Sequence, residues 1–121
     1  MPGMDDVEHW HVTLTLSGDA WPADDVHDAL ARLLEERPFV QSCTYTEDTA
    51  EIRYWDQAES LHDAAAMALR LWGEHRRSAR LPAWVVVGLE VVDRRTLRRR
   101  EASASGRSTV AAVGVVRPLP V

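Results

Sequence analysis

The chain has 121 residues, 45% of them hydrophobic, and a formal net charge of −5, which is enough for one packed domain and too little for two ordinary ones. It holds no run approaching the roughly 18 apolar residues that a membrane-crossing helix needs, and its start, Met1-Pro2-Gly3-Met4-Asp5-Asp6, is acidic where a secretory signal is basic and then apolar; a soluble, cytoplasmic protein is expected. The single cysteine, Cys43, excludes an internal disulfide and a thiolate metal cluster.

His9 to Leu16 alternates polar and apolar residues, which predicts a strand with Trp10, Val12, Leu14 and Leu16 on one face and His9, His11, Thr13 and Thr15 on the other. Ser17-Gly18-Asp19 supplies turn chemistry. Pro22, Asp24 and Asp25 suit a first helical turn, where a missing N–H costs little and carboxylates meet the positive end of the dipole. Val26, Ala29, Leu30, Leu33 and Leu34 then recur at helical spacing until Pro38 ends the helix.

Phe39 to Thr46 reads as a second strand, Glu47-Asp48 as a turn, and Thr49 to Trp55 as a third strand that completes a hairpin. Ala50, Ile52 and Tyr54 share one face of the third strand, and Glu51, Arg53 and Trp55 the other. Cys43, at alternate spacing with Phe39 and Tyr45, is expected as a small buried hydrophobe. Asp56 with Glu59 predicts a capping box, opening a helix whose stripe is Leu61, Ala64, Ala65, Ala68, Leu69 and Trp72. Its cationic end, His75, Arg76, Arg77 and Arg80, suits the dipole, and Leu81-Pro82 breaks it. Trp84 to Val92 is a fourth, nearly all-apolar strand. Keeping the charge of Glu90 out of the core puts Val85, Val87, Leu89 and Val91 inward and Trp84, Val86, Gly88, Glu90 and Val92 outward.

All 14 basic residues are arginine, and they are unevenly placed: residues 1–69 carry 15 Asp and Glu against 3 Arg, and residues 70–121 carry 4 against 11. The densest stretch is Arg94-Arg95-Thr96-Leu97-Arg98-Arg99-Arg100, followed by a Ser/Ala/Gly segment at 102–108 and an apolar piece at 109–116. The domain is therefore expected over 1–93 and a tail over 94–121, with 109–116 as a candidate extra edge strand. The purpose of the arginine run is not legible from its residues.

Strand, helix, strand, strand, helix, strand is the split βαβ unit, so residues 8–93 resemble the ferredoxin-like fold. The resemblance implies an α+β sandwich, with an antiparallel sheet of order 4-1-3-2 and two helices on one face. The segments Leu71-Trp72-Gly73-Glu74-His75-Arg76 and Val87-Gly88-Leu89-Glu90-Val91-Val92-Asp93-Arg94 also look like small uncharacterised proteins of high-GC bacteria; no activity comes with that likeness. On such a sheet the start of strand one lies beside the ends of strands three and four. A ligand or interface patch is expected from His9, His11, Arg53, Trp55, Trp84 and Glu90, with Val86 and Val92 adding apolar area.

The reading that follows is a noncatalytic binding or interaction protein, homodimeric through the open sheet face, with a small-molecule ligand as an option and no cofactor. One alternative is a small enzyme, since dimeric ferredoxin-like monooxygenases place His, Trp and polar groups in a pocket against the sheet. Another is metal binding by His9-x-His11, which needs a third ligand from Glu90, Glu51 or a second copy. Nucleic acid is disfavoured by the acidic chain and by a third strand lacking the basic and aromatic pattern of RNA-recognition modules. The chain has no Gly-x-Ser-x-Gly elbow, no phosphate-cradling glycine loop and no His-Glu-x-x-His.

Overall fold

A computed structural model describes residues 8–103 and 115–118. The elements run β1 (Glu8–Ser17), α1 (Ala23–Glu36), β2 (Val40–Tyr45), β3 (Thr49–Ala58), α2 (Leu61–Arg76), β4 (Val85–Asp93), α3 (Arg94–Ser103) and β5 (Val115–Pro118). The sheet has the order β4-β1-β3-β2-β5, so the expected 4-1-3-2 arrangement is present with a fifth strand at its edge. β1 pairs antiparallel with β3 and β4, and β2 antiparallel with β3. β5 pairs parallel with β2, from Ser42 opposite Val115 to Tyr45 opposite Pro118. Of the 109–116 segment, residues 109–114 lie outside the described residues.

The core lies between the sheet and α1 with α2. β1 supplies Val12, Leu14 and Leu16, β3 supplies Ala50, Ile52 and Tyr54, and α1 supplies Val26, Ala29, Leu30 and Leu33, all buried as the two periodicities predict. Trp10 forms a smaller cluster with Ala58 and Ala64, and its indole N–H donates to the Ala58 carbonyl (3.1 Å). The second helix differs in phase from its expected stripe. Its buried residues are Ala64, Ala68, Leu71 and Trp72, while Leu61 and Leu69 are exposed. Its start differs too: β3 runs on to Ala58, and Ser60 rather than Asp56 caps the helix, accepting from the Asp63 N–H (3.1 Å).

The fourth strand corrects a larger expectation. Thr15 lies opposite Gly88 but Leu16 lies opposite Val86, so Val87 is an extra residue and the alternation reverses at that point. Leu89 and Val91 face the core as expected, and Val86 joins them, whereas Val85 and Val87 are 63% and 60% exposed. Trp84 accordingly turns inward rather than onto the open face. It stacks parallel on Trp72, with ring centroids 6.2 Å apart, and its indole N–H donates to the Asp19 carbonyl (2.7 Å). Gly18 is required by this packing, because a Cβ there would fall 2.5 Å from Trp84 Cδ1.

The two helices are clamped at their C-terminal ends. His75 Nδ1–H donates to Glu36 Oε1 (2.6 Å), Arg37 Nε donates to His75 Nε2 (2.7 Å), and Ser78 Oγ donates to the same Glu36 oxygen (2.7 Å). The Ser78 and His75 bonds hold the Glu36 carboxyl below its usual range. Arg32 closes the adjacent loop through Nε to the Ala79 carbonyl (2.7 Å).

Cys43 is fully buried opposite Ile52, and burial pushes its thiol up to about 12. At pH 8 roughly one thiol in ten thousand is then thiolate, so a folded sample is expected to resist iodoacetamide and to react in full once urea unfolds it. Mass spectrometry before and after denaturation reads this directly.

Candidate functional site

The face of the sheet opposite α1 and α2 carries His9, His11, Thr13, Thr15 and Ser17 from β1, with Gln57, Trp55, Arg53, Glu51 and Thr49 opposite them on β3. On the other flank of β1, His11 faces Val92 and Thr13 faces Glu90. His9, His11, Arg53, Trp55 and Glu90 therefore share one face, as the sequence leads one to expect. Trp84 does not join them: it lies beyond the opposite end of β4, in the core. Val86 is likewise on the core side.

His11 is the centre of this face. Its ring meets Trp55 edge-on, with centroids 5.1 Å apart and planes at 68°, and its Nε2–H donates to Gln41 Oε1 (3.3 Å). Gln41 reaches the face because it is an extra residue in β2: Val40 pairs with Tyr54 and Ser42 with Arg53, leaving Gln41 unmatched between them. Burial lowers the His11 pKa, opposed by the Gln41 hydrogen bond. His9 accepts from Gln57 Nε2 (3.0 Å). Arg53 pairs with Glu51 along the same strand.

The feature that sequence reasoning did not place is α3. The arginine run is a helix that continues from the end of β4 and folds back over β1 and β4. Asp93 caps it, accepting from the Thr96 N–H (2.7 Å), and this bond and one from the Thr96 side chain lower the Asp93 pKa. Arg100 pairs with Glu90 (3.3 Å), and Glu101 is close enough to act on the charge of His11. Val92 is buried beneath this cover. The apolar residues that α3 leaves accessible on β1, β3 and β4 are Trp55, Val85 and Val87. Strong helix formers, Arg, Leu, Glu and Ala, gave a signal for the element, but without an apolar stripe nothing in the residues said where it would dock.

Between α3 and the start of β1 lies an open cleft of about 830 Å³, lined by Glu8, His9, Asp93, Arg94, Arg95, Arg98, Arg99 and Ala102. A smaller recess of about 260 Å³, lined by His9, Trp55 and Arg94, adjoins it. The two share His9 and Arg94. Four guanidiniums meet two carboxylates here, one of them committed to capping α3. Among the described residues none of the four makes an ion pair within 4.0 Å. The first turn of α3 also carries no acid, the reverse of what the dipole prefers. The cleft thus concentrates positive charge in a protein of net charge −5.

Chemically the arrangement suits holding an anion. The imidazoles of His9 and His11 are engaged by the amides of Gln57 and Gln41 rather than by a hydroxyl or thiol. Among the described residues no three His, Cys, Asp or Glu side chains are grouped to hold a metal ion. None of the helices among the described residues is long and apolar enough to cross a membrane.

No curated protein matches the chain. A family model does, the domain of unknown function DUF8830, over residues 9–108, a span that starts in β1 and passes the end of α3, and the chain belongs to that family.

Proposed function

We propose that this chain is a noncatalytic binding protein that holds a small anionic ligand in the cleft between α3 and the start of β1. The observation that carries this reading is the convergence of Arg94, Arg95, Arg98 and Arg99 on one cleft in an otherwise acidic chain. Guanidinium groups bind phosphates and carboxylates through paired N–H donors, and each such charge-assisted bond contributes about 1.5–3 kcal/mol. Two or three together correspond to a dissociation constant in the micromolar to millimolar range once ordering costs are met, by order of magnitude. Calorimetric titration of the full chain with pyrophosphate is expected to show one site, weakened several-fold as salt rises from 50 to 200 mM by order of magnitude. Absence of binding at low salt would overturn the reading.

A second reading, that the chain forms a homodimer, is favoured by a different observation from the one the sequence suggested. With Trp84 and Val86 turned inward and Val92 buried, a sheet-on-sheet dimer loses most of its apolar area. β4 is instead an outer strand of nine residues with no proline, and Val85 and Val87 are exposed at its start. Such an edge invites antiparallel pairing with a second copy. Light scattering is expected to give twice the chain mass, reduced to one by Val87→Lys and unchanged by Trp55→Asp. A wild-type monomer would remove this reading, and a dimer split by Trp55→Asp would return the interface to the sheet face.

A further inference from the structure

We propose that the ligand of the cleft joins a flat heteroaromatic ring to a group bearing two or more negative charges, as a nucleoside diphosphate does. The proposal rests on the reading of the cleft as an anion site and names the ligand class that fills it. The larger cavity presents four guanidiniums against Glu8 and Asp93, an excess of two positive charges that calls for a ligand at least doubly negative. The smaller recess is of another character, because its three lining side chains are indole, imidazole and guanidinium, all of them planar. The recess is open to solvent rather than enclosing, so it offers a flat ring one face to lie against.

Trp55 is half-buried on β3, directly across from His11, whose ring meets it edge-on and holds it against the sheet. Trp55 is thus partly covered and still lines the recess, as a stacking platform requires and a core side chain does not. His9 and Arg94 line both cavities, so ring and anion belong to one molecule spanning the two. An anion with no ring leaves Trp55 uncovered; a ring with no anion leaves the arginines unneutralised.

The test uses the full chain, with ADP, pyrophosphate and adenosine as probes in calorimetry and tryptophan fluorescence, on wild type, Trp55→Ala and Trp55→Phe. ADP is expected to bind about tenfold or more tightly than pyrophosphate, a difference in the range of one stacked ring, and adenosine to bind weakest. Trp55→Ala should bring ADP down to the affinity of pyrophosphate without changing the latter, and Trp55→Phe should restore most of the gain. Equal affinity for ADP and pyrophosphate in wild type, or a Trp55→Ala loss shared by both, overturns the ring while leaving the anion site standing. Binding of neither removes both. Tight binding of a single-stranded octanucleotide without binding of ADP would overturn the small-molecule class in favour of a polymer.

Discussion

Trp84→Ala is expected to destabilise the protein by about 3–5 kcal/mol, the range for removing a buried tryptophan, out of about 5–15 kcal/mol for a typical domain. The loss has three parts: the parallel stack on Trp72, the indole N–H bond to Asp19, and the close seat of the ring against Gly18. Gly18→Ala attacks the same seat from the other side. Its new methyl would start 2.5 Å from Trp84 Cδ1, so a cost of about 1–3 kcal/mol is expected from overpacking. Trp55→Ala, removing a half-buried ring from the sheet's reverse face, should cost only about 1 kcal/mol. Urea unfolding of the three variants beside wild type reads the order directly, through midpoints at unchanged slope. Plain alternation along β4 puts both tryptophans on the open face and predicts similar, small losses for the two, so this series tests the extra residue at Val87 as well as the core.

Arg98→Glu is expected to weaken pyrophosphate binding by tenfold or more, because it removes a charge-assisted contact of about 1.5–3 kcal/mol and sets a carboxylate in its place. The fold should tolerate the change. Arg98 is an exposed side chain on α3 that forms no ion pair among the described residues, and a carboxylate there relieves crowding among the neighbouring arginines. Arg117→Glu supplies the control for net charge: Arg117 is exposed on β5, at the far edge of the sheet from β4, and its reversal should leave affinity within about twofold once salt screens the distance. Equal losses from both variants would mean that the protein attracts anions by its overall field and not by the cleft.

Much of this architecture was legible in the residues because each strand and helix carries its own period. β1, α1 and β3 bury the residues their alternation or helical spacing picks out, and the pairing of His11 with Trp55 and Val92 follows once the strand order is known. The failures are local and physical. One unmatched residue, Val87, reverses every side chain before it in β4, and the only sign was a glycine at position 88 inside an apolar strand. In α2 the cap falls at Ser60 instead of Asp56, and the buried stripe runs through Leu71 rather than Leu69 because the sheet and Trp84 meet the helix on that side. The cleft was hidden for a different reason. α3 has no buried residue of its own, so no periodicity could assign its docking, and the arginines it brings to His9 are long-range neighbours that one chain read in order cannot join.

Whether α3 and the start of β1 together form an anion site is decided by amide and indole NMR shifts during a pyrophosphate titration. Saturable shifts are expected at His9 and residues 94–99, with the indoles of Trp72 and Trp84 unmoved. Shifts spread evenly over the other arginines, or gathered at the α1–α2 clamp around His75, would contradict it.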